Sequence, residues 1–174
     1  VPDKWLIILG CYNSGTTLLR ELLSFHSEIS TLPREGVVIT RLLPRPEDKG
    51  WKRMWVKCLH YIDNQKDIDP REVMSDWEPW WDSKKVIFLE KSISNLTRID
   101  WFEKNFPNCY FVGITRDGYA VAEGIRRRVR LKGYQKKLYG EFYPLSLTAR
   151  QWVDANSRLL SAKDKVKNYH QIAY

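Results

Sequence analysis

The chain divides into short continuous apolar runs and longer stretches in which apolar residues recur at helical spacing. Lys4–Leu9 (KWLIIL) is an apolar run closed by Gly10, the pattern of a strand buried on both faces. Thr16–Phe25 follows, with Leu18, Leu19, Leu22 and Leu23 on one stripe and Arg20, Glu21 and Ser24 off it, which predicts an amphipathic helix. Val86–Leu89 (VIFL) and Cys109–Ile114 (CYFVGI) repeat the strand pattern, and Tyr169–Tyr174 begins another. Helices are predicted over Ile93–Asn105, where Leu96, Ile99 and Phe102 share a side, and over Gly118–Leu131, where Val121, Ile125 and Val129 fall four apart. A further helix is predicted over Leu147–Ala162, with Trp152, Val153, Asn156, Leu159 and Leu160 aligned. The stretch from about Pro44 to Ser83 follows neither period. Its prolines at 44, 46, 70 and 79 and tryptophans at 51, 55, 77, 80 and 81 predict short helices separated by proline-marked turns.

Buried runs alternating with helices imply an α/β fold: a central parallel sheet flanked by helices in three layers. In such sheets ligands bind beyond the carboxyl ends of the strands. The two most suggestive turns, after Leu9 and after Ile114, both lie there.

Length and composition fit one domain over residues 1–174 with a sizeable core, since 43% of residues are apolar. Cys11, Cys58 and Cys109 are too scattered for a disulfide framework or for metal-ligand spacing. A reducing compartment, and so a cytoplasmic location, is the simpler expectation. No apolar run approaches the roughly 18 residues of a membrane span. The net charge of +8 favours anionic partners. Arg126, Arg127, Arg128, Arg130, Lys132, Lys136 and Lys137 fall in one stretch with no acidic residue among them, which reads equally as a solvated helical face or an anion-binding surface. No nucleic-acid reader motif accompanies the charge, so nucleic acid is not an expected partner.

The loop Gly10-Cys-Tyr-Asn-Ser-Gly15-Thr16-Thr17 has the glycine spacing of a P-loop. Backbone N–H groups must point into such a turn and the chain must approach an anion closely, which small residues permit. The helix behind it adds its positive end, and Thr16 and Thr17 add hydroxyls. The alternative is local: Gly10 ends the strand and Thr16 caps the helix. One departure bears on the chemistry, because the P-loop lysine is replaced by Thr16. An enzyme moving a γ-phosphoryl group needs that cation and Mg²⁺. A sulfuryl group carries less charge, so amides and hydroxyls suffice with one or two cations and no metal.

Ile8–His26 (ILGCYNSGTTLLRELLSFH) resembles the 5′-phosphosulfate loop and first helix of sulfotransferases that use 3′-phosphoadenosine 5′-phosphosulfate (PAPS). The pattern is nearest to the tyrosylprotein and related bacterial sulfotransferases. Phe88-Leu-Glu-Lys91-Ser-Ile-Ser is similar to the family's E-K-S/T-P segment. Phe106-Pro-Asn-Cys-Tyr-Phe-Val-Gly-Ile-Thr-Arg116-Asp-Gly118 is similar to the strand and turn that hold the 3′-phosphate. Weaker matches are Trp152 with Asn156, and Ile-Ala-Tyr174. Relatives usually continue past this point, so the domain is either minimal or shortened at its C-terminus.

The resemblance implies direct transfer of a sulfuryl group from PAPS to a hydroxyl or amine. By position, Asn13, Ser14, Gly15, Thr16, Thr17 and Leu18 would hold the 5′-phosphosulfate and Arg116 the 3′-phosphate. Lys91 would stabilise the departing phosphate, and Glu35 corresponds to the acidic residue proposed as general base. Asn13 stands where the family usually has Lys or Arg against the transferring group, with Lys91, Arg20 or one of Arg126–Arg128 as compensating cations. Gly124 stands where a serine usually provides a second 3′-phosphate ligand. No metal is expected. The acceptor stays open among a sugar, a peptide tyrosine and a small molecule.

Two other readings stand beside this one. A P-loop kinase or NTPase requires a Walker lysine, which Thr16 contradicts, and an acidic Mg²⁺ ligand ending a strand, which Glu90 would meet. A catalytically impaired PAP- or anion-binding module is favoured by Asn13 and Gly124.

Overall fold

Five strands form one sheet in a computed structural model that describes residues 4–64 and 67–174. They are β1 (Lys4–Gly10), β2 (Ile29–Thr31), β3 (Ile87–Glu90), β4 (Cys109–Thr115) and β5 (Tyr169–Ala173). Their order is β2-β3-β1-β4-β5, and every neighbouring pair is parallel. The helices in chain order are α1 (Thr16–Ser24), α2 (Gly36–Ile39), α3 (Leu59–Ile62), α4 (Pro70–Trp77), α5 (Ile99–Asn105), α6 (Gly118–Arg127), α7 (Gly133–Tyr139) and α8 (Leu145–Lys165). All five strands therefore point their carboxyl ends the same way. Those of β1 and β4 lie side by side, with Gly10 opposite Ile114.

The sheet has two unequal faces, because alternate residues of a strand point in opposite directions. Trp5, Ile7 and Leu9 of β1 enter the main core with Phe88, Phe111 and the buried side chains of α5, α6 and α8. Trp5 sits at its centre, edge-on to Phe88, Phe106 and Trp81. Ile8, Leu89 and Ile29 make a smaller cluster on the opposite face, with Leu19 and Leu23 of α1 packed on it. Among the described residues no helix is long and apolar enough to cross a membrane.

Several elements differ in extent from the sequence reading. The helix expected over Ile93–Asn105 is a 3₁₀ turn over Ile93–Thr97 followed by α5, with Arg98 non-helical between them (φ −129°, ψ 22°). The side chains explain the break. Thr97 Oγ1 donates back to the Ser94 carbonyl at 3.0 Å, and buried Arg98 donates to Ser94 Oγ and the Pro44 carbonyl. Burial lowers the Arg98 pKa to about 10. Helix α6 stops at Arg127, short of Leu131, whose amide bonds the Glu141 carbonyl instead. Helix α8 is longer than its apolar pattern at both ends.

The proline- and tryptophan-rich stretch is built as expected from short pieces: 3₁₀ turns over Pro46–Lys49, Trp55–Lys57 and Glu78–Trp80, together with α3 and α4. Its backbone has no ladder to pair with, so distant side chains satisfy it. Gln135 Nε2 donates to the Gly50 carbonyl at 2.9 Å, Tyr143 Oη to the Lys52 carbonyl at 3.1 Å, and Gln151 Nε2 to the Arg53 carbonyl at 2.6 Å.

Candidate active site

The turn from β1 into α1 is shaped by two left-handed residues, Asn13 (φ 63°) and Gly15 (φ 95°). Asparagine tolerates this conformation better than most residues, and glycine adopts it freely. Gly15 is the N-cap of α1, and no side chain caps the helix. The local alternative, Thr16 as cap, is therefore not what the structure shows. Leu19 is the first residue of α1 whose amide bonds back into the turn, to the Gly15 carbonyl at 2.9 Å. The amides of Thr16, Thr17 and Leu18 precede it in the first turn, where N–H groups lack intrahelical acceptors. Ser14 and Thr16 are buried, whereas the Leu18 side chain lies on the exposed side of α1, so a role for Leu18 rests on its backbone.

Arg116, just past β4, reaches this turn. Its Nη1 donates to the Asn13 carbonyl at 3.0 Å, and its guanidinium lies 4.7 Å from the centre of the Tyr174 ring. The turn carrying Arg116 is held from behind: Trp152 Nε1 donates to the Arg116 carbonyl at 2.9 Å, and Asn156 accepts from Thr115 Oγ1 at 3.2 Å. Gly124 of α6 faces the same loop. A Cβ there would stand 3.1 Å from Asn13 Nδ2, so the absence of a side chain at 124 and the asparagine at 13 are one packing arrangement. Asn13 Nδ2 is buried with no acceptor.

Glu35 and Lys91 follow β2 and β3, and they meet. Lys91 Nζ donates to Glu35 Oε1, with only 4% of the lysine side chain exposed. Behind them Glu90 is fully buried and accepts from the Gly36 amide at 2.8 Å, from Ser92 Oγ and from Asn95 Nδ2. Burial raises the Glu90 pKa, against the lowering effect of those hydrogen bonds. Trp77 Nε1 donates to the Gly36 carbonyl at 3.1 Å, so the turn after Glu35 is gripped on both sides. Glu90, the residue that would have served a magnesium-dependent enzyme, is spent on this internal network.

One cleft of about 600 Å³ joins these groups. Asn13, Gly15, Thr16, Thr17, Glu35, Lys91, Arg116 and Gly124 all line it, whereas Ser14 and Leu18 do not. Its cations are Lys52, Arg53, Lys91, Arg116 and Arg128, against the carboxylates Glu35 and Glu47. Of the compensating cations expected from sequence, Lys91 and Arg128 lie in the cleft. Arg20 does not line it and stands 3.9 Å from Glu21, while Arg126 pairs with Glu123 and lies over Phe142. Much of the basic stretch is thus an ordinary paired surface, with Arg127 on Glu123 and Arg130 on Glu141. Tyr12 belongs to the loop itself, but Glu47, Lys52 and Arg53 were not singled out by the sequence. Nothing in the local pattern marks them, since they depend on how the irregular stretch folds over the loop. Cavities of about 450 and 580 Å³ lie at the other end of the sheet, lined largely by aromatic and aliphatic side chains, and bring no comparable set of charges together.

A model of the family described as Sulfotransferase family matches residues 6–174. No curated protein matches the chain. Among solved structures, the sulfotransferase domain from the curacin biosynthetic pathway superposes with a TM-score of 0.59 at 20% identity, covering 100% of this chain and 68% of that one. A sulfotransferase from Alicyclobacillus acidocaldarius gives 0.59 at 16% identity, covering 99% and 73%. A third, from Mycobacterium tuberculosis, gives 0.57 at 12% identity, covering 100% and 63%. These likenesses establish a shared fold.

Proposed function

The chain belongs to the sulfotransferase family, and from that premise we propose that it transfers a sulfuryl group from PAPS to a hydroxyl or amine acceptor. The observation that carries this reading is the meeting of the uncapped first turn of α1 with Arg116 at Asn13, in one cleft with the Glu35–Lys91 pair. The residues present fit such a donor. A helix start without a side-chain cap offers amides to an anion, and the buried Asn13 Nδ2 is a donor without an acceptor.

PAPS, when bound, supplies an activated sulfuryl group with a phosphate as leaving group. The chain's own residues bind, orient and move a proton. The amides of Thr16, Thr17 and Leu18 and the threonine hydroxyls hold the phosphosulfate end. Arg116, a planar donor steadied by Tyr174 and by the bond from Trp152, holds the 3′-phosphate end. Lys91 stabilises negative charge as it develops on the leaving oxygen. Glu35 takes the acceptor's proton. Its Oε1 is engaged by Lys91, and among the described residues no hydrogen bond occupies its second oxygen. The pair keeps base and cation side by side at the point where proton uptake and leaving-group stabilisation must be coordinated.

The test is transfer of labelled sulfuryl from PAPS to a panel of phenols, sugars and amines in the presence of EDTA. Labelled product with at least one acceptor is the expected result. Release of label to water alone across the panel, or no release, contradicts the reading.

A further inference from the structure

The loop Gly10–Thr17 contains no cation, so whatever anion it holds must find its positive charge elsewhere. Among the described residues, Lys52 and Arg128 also line the cleft, without a hydrogen bond to the loop, and three further cations are already engaged. Arg116 donates to the Asn13 carbonyl and stacks on Tyr174, Lys91 is paired with Glu35, and Arg20 leans on Glu21 outside the cleft. Arg53, like Arg116, touches the loop without a carboxylate partner, but it bonds the Asn13 side chain and not the main chain. Its guanidinium donates to Asn13 Oδ1 at 3.4 Å and lies 5.4 Å from the centre of the Tyr12 ring, directly beside the loop. Among the described residues no carboxylate forms an ion pair with it.

The backbone of Arg53 is unusual for its residue type. Its φ of 57° is left-handed, a region costing a non-glycine residue about 1–2 kcal/mol. The conformation persists because the peptide is held at both ends: its amide donates to Glu47 Oε1 at 3.1 Å, and its carbonyl accepts from Gln151 Nε2 at 2.6 Å. Gln151 is itself fully buried on α8, and Tyr143 fastens the preceding carbonyl. The irregular stretch is thus fixed to the frame of the domain at the residue whose side chain reaches the loop.

Resting on the reading of this cleft as a phosphosulfate site, we propose that Arg53 supplies the cation that the loop lacks and pairs with the phosphosulfate end of the donor. Arg116 serves the 3′ end, so the two arginines divide the nucleotide between them. Tyr12 keeps the Arg53 guanidinium over the loop. The weak 3.4 Å bond to Asn13 is exchanged for charge-assisted bonds to the ligand.

The experiment is calorimetric binding of PAPS, of adenosine 5′-phosphosulfate, which lacks the 3′-phosphate, and of adenosine 3′-monophosphate, which lacks the 5′ end. The variant is Arg53→Asn, because asparagine tolerates the left-handed backbone and leaves both main-chain clamps in place. Its affinity for PAPS and adenosine 5′-phosphosulfate is expected to fall about tenfold or more, with adenosine 3′-monophosphate unaffected and the thermal midpoint not lowered. The salt dependence of PAPS binding should also become shallower, and Arg53→Lys should recover part of the loss. Unchanged PAPS affinity in Arg53→Asn overturns the assignment while leaving the sulfotransferase reading intact. An equal loss for all three nucleotides overturns it as well, since that is the signature of a disturbed loop. Failure of the unmodified protein to bind PAPS removes the reading and the assignment together.

Discussion

The two sides of the cleft reach the same space by different physical means. On one side, Asn13–Thr17, Glu35, Lys91 and Arg116 lie just past the ends of β1, β2, β3 and β4, so the ladder of a parallel sheet sets their spacing. On the other, Glu47, Lys52 and Arg53 sit in a stretch without a ladder, held by side chains of α7 and α8 and by the strand-free turn around Tyr143. In the proposed reading the strand-end side carries the chemistry. The irregular side adds charge and a wall, and each side holds one left-handed non-glycine residue, Asn13 and Arg53. The two are joined at Gly36, where Trp77 from the irregular side holds the carbonyl and Glu90 from the strand side holds the amide of one residue.

Substitutions on the two sides should therefore separate. The largest effect is expected for Glu35→Gln, which removes the base: kcat should fall by about 10²–10⁴-fold. PAP affinity, read by calorimetry, should hold or improve because Lys91 is released. Turnover at the unmodified rate would take Glu35 out of the reaction. Next is Arg116→Lys, where loss of the planar fork should weaken PAP binding about tenfold or more at unchanged unfolding midpoint. A loss of stability in place of affinity would mean that Arg116 serves the fold through Asn13 and Tyr174. Gly36→Ala probes the junction. A Cβ there would stand 2.6 Å from Trp77 Cζ2 and 2.7 Å from Glu90 Oε1. Denaturant unfolding should show a loss of about 1–3 kcal/mol. An unchanged midpoint would show that the two sides are not coupled at this turn. The smallest effect is expected for Trp55→Phe, which removes the 2.8 Å bond to Asp154 on α8. It should cost about 1 kcal/mol of stability, with kcat unaffected. A fall in kcat as large as that of Glu35→Gln would erase the distinction between the two sides.

The same division decides what was legible in the sequence. Apolar runs announce buried strands, and a glycine-rich turn between a strand and an amphipathic helix announces an anion site, so Gly10–Thr17 stands out before any fold is known, whereas the roles of Lys91 and Arg116 came from the resemblance. Glu35 was reached through resemblance alone, because β2 is three residues long and has no pattern of its own. Arg53 was invisible: its position depends on Gln151 and Glu47, respectively 98 and 6 residues away, and on a backbone conformation arginine does not advertise. The helix expected over Ile93–Asn105 failed for a related reason, since periodicity does not register that Thr97 and Arg98 bond elsewhere. Asn13 and Gly124, read separately as two losses, are one contact in the structure.

The loop of the strand-end side is proposed to bind a phosphosulfate-type nucleotide without a metal. Calorimetric titration of the protein with PAP in EDTA, set beside ATP with Mg²⁺, tests it most directly. Saturable binding of PAP in EDTA, and none of ATP–Mg²⁺ at the same concentrations, is the expected result. Binding of ATP–Mg²⁺ with no response to PAP would contradict the proposal.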